Sequence, residues 1–266
     1  MSPTKKLSTI ALSLALLLAT ITSPAQVKLP QLIADHMVLQ RDTVIRIWGW
    51  AAPLEKVTLI FNRKRYKTTA ASDGTWRILL PAMSAGGPYT MDIRASNHLF
   101  VKDILMGDVW FCSGQSNMVL PMERVKEKYP EAIAGANFPE IRNFFVPTAS
   151  DITRVHDDLP RSQWMEASPK NVLGFGAATW FFASRLYQKY HVPIGIINSS
   201  VGGTPIQAWI SADGLQDVSP YAERVARFRD TAYTGRLLHP ATTRPSTTNM
   251  ATTGPSTTNL DRKSNV

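Results

Sequence analysis

Residues 108–118 read DVWFCSGQSNM, an apolar run followed by small and polar residues. The apolar part, residues 109–112, is long enough for a short buried strand. The Ser-Gly pair at 113–114 interrupts it, so residues 115–117 are expected on a tight turn. A serine at the end of a buried strand can be presented to a cleft as a nucleophile, with nearby N–H groups directed at a carbonyl oxygen. An ordinary turn that closes a strand is the alternative, and the local pattern taken alone favours it.

Two motifs carry a resemblance to a known family. Residues 114–118, with the sequence GQSNM, are similar to the nucleophile motif of the sialate O-acetylesterase family of SGNH-type hydrolases. A second block, residues 197–209 with the sequence INSSVGGTPIQAW, resembles the glycine block of that family and follows in the expected order. The resemblance extends from about residue 32 to about residue 209, and on these motifs the chain is identified as a member of the family.

The resemblance implies an exported esterase that removes O-acetyl groups from sialic acid or related sugars. Ser116 would be the nucleophile, the backbone N–H groups of Ser116 and Gly202 would form the oxyanion hole, and an acetyl-enzyme would be the intermediate. Gln115, Asn117 and Gly203 are assigned to substrate binding. The resemblance implies no metal and no cofactor, and the partner is an O-acetylated sugar or glycan. The alternative is a non-catalytic carbohydrate-binding or scaffold protein with a vestigial hydrolase half.

The glycine pair at 202 and 203 lies between a predicted strand and a predicted helix, where backbone N–H groups lack partners within the helix. Such groups can bind an oxyanion, although a plain turn with positive φ explains the pair equally well without the family match. The sequence departs from the family pattern at two positions, with Val201 in place of a tryptophan and Gly176 in place of a serine. Both departures concern the pocket wall or packing, and therefore substrate preference more than chemistry.

A serine esterase needs a base that accepts the Oγ proton. In the family an Asp and a His near the end of the hydrolase domain act together, and this sequence shows no Asp-x-x-His pair and no Gln-Gly-Glu block. His239 precedes a proline as in the family, but Arg236 and Leu237 occupy the places of the acidic partner. The other histidines are interpreted as solvated or structural: His36 and His98 in the N-terminal part, His156 in a polar loop and His191 at a helix end. The sequence therefore identifies no base.

Two halves of different character are predicted. Residues 28–104 contain short alternating runs separated by turn signals, which is typical of a small β-sandwich. Within it, residues 57–61 and 65–70 are predicted to pair as a hairpin across residues 62–64. Such a domain can bind sugar, but the sequence marks no binding face, and a packing role is favoured. Residues 105–235 alternate between strands and helices, which indicates a parallel sheet with helices on both faces. The segments are strands at 108–112, 141–146 and 192–198 and helices at 175–190 and 206–210. The predicted fold class is α/β, an incomplete three-layer sheet like that of SGNH hydrolases, preceded by a β-sandwich.

Composition limits the classes of partner. The 266 residues include 29 Lys and Arg against 20 Asp and Glu, a net charge of +9. No basic helix accompanies this excess, and the densest cluster is the short run 63–65, so a solvated basic surface is favoured over nucleic-acid binding. A single cysteine, Cys112, excludes an internal disulfide, and we interpret it as a small buried hydrophobe.

The two ends of the chain have distinct compositions. Residues 1–25 show a basic start, an apolar run and small residues before Ala25, the pattern of a secretory signal peptide too short for a comfortable membrane span. We expect cleavage after Ala25, a secreted or periplasmic location and no stable membrane insertion. Residues 236–266 are rich in Ser, Thr and Pro and are predicted to be disordered. We expect this tail to mark a truncated hydrolase domain, with a flexible tether as the alternative.

Overall fold

The computed structural model of the protein describes residues 26–149, 151 and 154–238. The predicted signal peptide, His239 and residues 239–266 of the predicted tail lie outside the described residues. Within the described part, no helix has the length and apolar character needed to cross a membrane.

Strands dominate the N-terminal half, and strands and helices are mixed in the C-terminal half. The strands are β1 (Val38–Gln40), β2 (Ile45–Trp50), β3 (Lys56–Phe61), β4 (Lys64–Thr69), β5 (Thr75–Leu80), β6 (Gly86–Arg94), β7 (His98–Gly114), β8 (Phe138–Phe145), β9 (Trp164–Ala167) and β10 (Ile194–Ser200). The α-helices are α1 (Ser116–Val119), α2 (Pro130–Ala134), α3 (Ala177–Tyr190), α4 (Ala212–Leu215), α5 (Tyr221–Arg229) and α6 (Thr231–Leu238). Short 3₁₀ helices lie at Met122–Val125, Asn171–Gly174 and Ile206–Trp209.

One long strand, β7, joins the two halves. It contains 17 residues, and its first part pairs antiparallel with β6 while its last part pairs parallel with β10. The resulting sheet has the order β4-β3-β6-β7-β10-β8-β9, and β1 pairs parallel with β7. Strands β2 and β5 form a separate antiparallel ribbon. The boundary predicted after residue 104 therefore lies inside a single strand, and no linker separates the halves.

The N-terminal half contains the predicted strands and hairpin. The loop between β3 and β4 consists of Asn62 and Arg63, with φ values of 46° and 62°, and a two-residue turn of this kind matches the twist of a hairpin. Alternate residues of the ribbon and of the facing strands form one core, in which Ile47, Leu59 and Ile93 are 0% exposed. Each such side chain contributes roughly 1.5–3 kcal/mol by leaving water, so this core accounts for much of the stability of the half.

The C-terminal half is organised around β8 and β10. Helix α3, predicted over residues 175–190, packs Trp180 and Ala183 against Ile194 and Ile196 of β10. On the opposite face of the same sheet, side chains of β8, β9 and β10 join the core of the N-terminal half. The predicted α/β fold class is thus confirmed. Where the sequence pattern placed helices on both faces of the sheet, the described residues place α3 on one face and the N-terminal half on the other.

The apolar run at residues 109–112 is a strand, as predicted, but the prediction that it is buried is wrong. Trp110 is 42% exposed and Phe111 is 67% exposed. Over this stretch β7 pairs with β10 on one side, and within the described residues no strand pairs with its other edge beyond residue 107. An apolar run has the same appearance in a central strand and in a strand with one open edge, so the sequence alone does not reveal the difference.

Candidate functional site

Ser116 is presented at the end of β7. The strand ends at Gly114, and Ser116 is the exposed first residue of α1. Gly114 has a φ of 139°, and a Cβ at this position would lie 3.0 Å from Cγ of Met118. A side chain would be strained and crowded there, so glycine allows the chain to leave the strand and enter the helix within two residues.

The pairing of β7 with β10 brings Gly202 to Ser116. The two strands stay in register up to the pair Gly114 and Ser200, and the N–H of Val201 donates to the Gly114 carbonyl at 2.9 Å. The turn after β10 therefore lies directly beside α1, at the carboxyl end of the parallel strands. A Cβ on Gly202 would lie 3.9 Å from Cβ of Ser116. Gly203, the next residue, has a φ of 77° and would have open space around a Cβ.

Gln115 holds both polar groups of Ser116. Its Oε1 accepts a hydrogen bond from the Ser116 N–H at 2.9 Å and another from the Ser116 Oγ–H at 2.5 Å. The hydroxyl of the predicted nucleophile and the N–H that is predicted to bind an oxyanion thus both donate to the neighbouring side chain. Asn117, the third polar residue of the motif, is exposed on α1. A substrate that approaches Ser116 has to displace the Gln115 amide.

Asn198 lies within the glycine block and supports α1, a role that the sequence pattern did not predict. It is 0% exposed, its Nδ2 donates to the Met118 carbonyl at 3.3 Å, and its Oδ1 accepts from Ser200 Oγ at 2.7 Å. A buried amide is retained only when its polar atoms are paired. These bonds tie β10 to α1 and so support the turn that carries Ser116. The signal in the sequence was a polar residue that follows four apolar residues of a buried strand, which could have marked Asn198 as a structural amide.

The two departures from the family pattern lie in different surroundings. A Cβ on Gly176 would lie 2.6 Å from the Met118 carbonyl oxygen, 2.8 Å from Nδ2 of Asn198 and 3.0 Å from Oγ1 of Thr179. Gly176 is therefore packed against Asn198 and the Met118 carbonyl, which are bonded to each other and support α1. Its departure from the family pattern concerns packing. Val201, in contrast, lines an open cleft.

That cleft lies at the carboxyl ends of β8 and β10 and has a volume of about 650 Å³. Its walls include Ser199, Val201, Trp209 and His156, while Gly202 follows Val201 on the side of Ser116. His156 is exposed in its loop, as the sequence predicted, and its Nε2 lies 2.6 Å from Oδ2 of Asp151. The histidine is half exposed and lines the cleft as part of an acid–histidine pair. An aspartate and a histidine soon after a strand end were the signal in the sequence.

The other three histidines among the described residues lie where the sequence placed them. His36 and His98 belong to the N-terminal half and pair with Asp103 and Asp92, and His191 ends α3 in the left-handed conformation. Among the described residues, no histidine forms a hydrogen bond with Ser116 Oγ, and no group of three or more His, Cys, Asp and Glu side chains could hold a metal ion.

Cys112 lies two residues before the end of β7 and is only half-buried. Burial raises the pKa of its thiol, so the side chain carries a thiol rather than a reactive thiolate near neutral pH. The thiol is therefore inert, as predicted, but the side chain is not fully buried.

The chain is similar to known carbohydrate esterases in both sequence and structure. The family model for "Carbohydrate esterase, sialic acid-specific acetylesterase" matches residues 106–239. The sialate O-acetylesterases of Pongo abelii and Homo sapiens are each 31% identical to the chain over 237 residues, covering 78% of this chain and 45% of theirs. A crystal structure of a carbohydrate acetylesterase from Xanthomonas citri is 39% identical with a TM-score of 0.68, covering 72% of this chain and 44% of that one.

The chain thus spans less than half the length of these relatives. The family model nevertheless covers both the segment that carries Ser116 and the segment that carries Gly202, and these are the two segments that the fold brings into contact. The chain therefore belongs to the sialic acid-specific acetylesterase family of carbohydrate esterases.

Proposed function

We propose that the protein is a carbohydrate esterase that removes O-acetyl groups from sialic acid or a related sugar. The observation that carries the proposal is the contact between Ser116 and Gly202 at the carboxyl end of β7 and β10, where a Cβ on the glycine would lie 3.9 Å from the serine Cβ. Ligands of open α/β sheets bind at this end of the strands. The substrate class follows the names of the relatives, which are sialate O-acetylesterases and a carbohydrate acetylesterase.

The proposed reaction has two steps. Ser116 Oγ attacks the acetyl carbonyl carbon, the bond from that carbon to the sugar oxygen breaks, and the sugar leaves as an alcohol after taking up a proton. Water then attacks the acetyl-serine, which releases acetate and restores the hydroxyl. In both steps the carbonyl oxygen becomes negatively charged, and we assign the N–H groups of Ser116 and Gly202 as the donors that stabilise it.

Gln115 sets a condition on this reaction. Because its Oε1 accepts from both the N–H and the Oγ–H of Ser116, the amide has to rotate away before the N–H can reach an oxyanion and the hydroxyl can reach a base. The pair of His156 and Asp151 has the composition of a base with its orienting acid, yet it shares no hydrogen bond with Ser116. We therefore expect slow turnover from the arrangement described, since an unassisted serine hydroxyl is a weak nucleophile.

The place of action is also a proposal. The composition of residues 1–25 supports export to the periplasm or the medium, where O-acetylated glycans are accessible. The names of the relatives support a sugar rather than a nucleic acid as partner.

The test is covalent labelling with a fluorophosphonate, which reports the nucleophile even when turnover is slow. We expect the parent chain to be labelled and Ser116→Ala to be unlabelled, with aryl-acetate hydrolysis reduced at least about 100-fold where it is measurable. Ser113→Ala, an exposed serine three residues earlier, is the matched control and should behave as the parent. Equal labelling of parent and Ser116→Ala would remove Ser116 from the mechanism. Absence of labelling and hydrolysis in a folded parent would favour the non-catalytic binding or scaffold protein.

A further inference from the structure

A second cleft lies on the N-terminal half, on the ribbon formed by β2 and β5. Its volume is about 600 Å³. Its lining combines three indole rings, two guanidinium groups and one carboxylate: Trp48, Trp50, Trp76, Arg46, Arg77 and Asp157. Aromatic walls with a few charged groups are typical of small-molecule sites. The cleft is separate from the residues around Ser116.

The alternation of β2 builds one wall of this cleft. Arg46, Trp48 and Trp50 lie on one face of the strand because side chains of a strand alternate, and each is exposed or half-exposed. The register of the ribbon places Arg77 opposite Trp48 and Thr75 opposite Trp50. Two indoles and two cations are thus held on the same surface by cross-strand pairing.

Trp76 supplies a second, independent observation. The residue is 3% exposed and lines the cleft, and its Nε1–H has no hydrogen-bond partner among the described residues. Gly49 leaves room for the ring, since a Cβ there would lie 2.9 Å from Cζ2 of Trp76. A buried donor without an acceptor destabilises the folded state. A ligand oxygen in the cleft would remove this destabilisation.

We propose that this cleft binds an acidic glycan, that is, a sugar chain that carries a carboxylate. The flat indoles of Trp48 and Trp50 suit the C–H faces of a pyranose ring by dispersion and burial, and the guanidinium groups of Arg46 and Arg77 suit a carboxylate. The buried Trp76 Nε1–H would donate to a sugar oxygen that reaches it. The neighbouring strand β4 adds the exposed Lys67, next to Thr68 of the lining, whose field attracts an anion.

Asp157 favours a sugar over a nucleic acid. A carboxylate in the wall accepts hydrogen bonds from sugar hydroxyls, but it repels the closely spaced phosphates of a nucleic acid. The loop that carries Asp157 also connects the two clefts, because its neighbours His156 and Asp158 line the cleft beside Gly202. Asp158 is fixed by accepting from the N–H of Gln31 at 3.0 Å. A glycan held on the ribbon would therefore lie next to the cleft at the ends of β8 and β10.

Binding can be measured on the full chain by calorimetry and tryptophan fluorescence, with unacetylated 3′-sialyllactose and trigalacturonate as acidic probes and lactose as the neutral probe. Because none of these carries an acetyl ester, the result is independent of Ser116 and of the proposed esterase function. We expect both acidic probes to bind at least tenfold more tightly than lactose and to weaken as salt is raised. Arg77→Gln and Arg46→Gln should each weaken binding of the acidic probes about tenfold, with no change for lactose.

Arg63→Gln is the matched control, since Arg63 is exposed in the hairpin turn at the far end of β4, roughly 17 Å along the strand from Thr68. Trp76→Phe keeps the ring packing and removes the N–H, so it should weaken binding of every sugar probe while the unfolding midpoint holds or rises. Equal affinity for lactose and the acidic probes, or equal effects of Arg63→Gln and Arg77→Gln, would overturn the proposal. Tighter binding of an oligothymidylate than of sialyllactose would overturn it in favour of nucleic acid.

Discussion

Gly176→Ser introduces the residue that the family resemblance implies at this position, and we expect it to destabilise this protein. The new Cβ would meet the Met118 carbonyl oxygen at 2.6 Å and Nδ2 of Asn198 at 2.8 Å. Neither atom can move freely, because the carbonyl belongs to the backbone of α1 and the amide is 0% exposed and bonded to it. The substitution therefore overpacks the support of Ser116.

Two opposing effects determine the magnitude. Overpacking of this kind costs about 1–3 kcal/mol. Gly176 is also the N-cap residue of α3, and a serine in that position is better than a glycine by only a few tenths of a kcal/mol. Overpacking is the larger effect, so we expect a net loss of about 1–2.5 kcal/mol. For a chain of this size that corresponds to a decrease in Tm of roughly 3–8 °C.

The assay is thermal and urea unfolding followed by circular dichroism, with Gly174→Ser as the control. A Cβ at Gly174 would meet nothing within 4 Å, and the change in the unfolded chain is the same in both variants. We expect Gly174→Ser to stay within about 0.5 kcal/mol of the parent, as exposed substitutions usually do. If Gly176→Ser proved as stable as Gly174→Ser, the reasoning about the support of α1 would be wrong.

Two further predictions concern other parts of the chain. Burial raises the pKa of Asp103, but hydrogen bonds from His36 and Arg142 outweigh it and hold that pKa below the usual range. The stabilisation is therefore present above the ordinary aspartate pKa of about 3.9 and is lost as the pH falls through the lower pKa of the folded state. Asp103→Asn should reduce the urea midpoint at pH 7, and its difference from the parent should shrink towards pH 3; a constant difference would contradict this. Protein secreted by its host should begin at Gln26, as N-terminal sequencing would show, whereas intact Met1 in the soluble cytoplasm would exclude export.

Local sequence patterns predicted the elements that local physics determines. The hairpin of β3 and β4 follows from two alternating runs around Asn62 and Arg63, and α3 follows from apolar residues at helical spacing over residues 175–190. In each case the signal and the element occupy the same residues. Predicted bounds differ from the observed ones by two or three residues for α3, β8 and β10, as expected where the ends of an element depend on neighbours.

Features that depend on contacts distant in sequence were not predictable in this way. The exposure of Trp110 and Phe111 depends on which strand pairs with the second edge of β7, and nothing in residues 108–118 encodes that. The crowding around Gly176 involves residues 118, 179 and 198, which approach one another only when β10 and α1 are in place. The cleft on the ribbon arises from the register between β2 and β5, which places Arg77 opposite Trp48.

The candidate site likewise has one feature that the strand register determines and one that it does not. The position of Ser116 beside Gly202 is set by seven consecutive register pairs of β7 and β10, from Asp108 to Gly114, and a one-residue slip would turn every side chain to the other face. The direction of Ser116 Oγ, in contrast, depends on one rotatable bond and on the Gln115 amide that holds it. The proximity of Ser116 to Gly202 is therefore a property of the fold itself, whereas the proposed activation of the hydroxyl would require a rotation of Oγ toward a base. Labelling of Ser116 by a fluorophosphonate tests the rotation of Oγ, and the stability of Gly176→Ser tests the packing that positions Ser116.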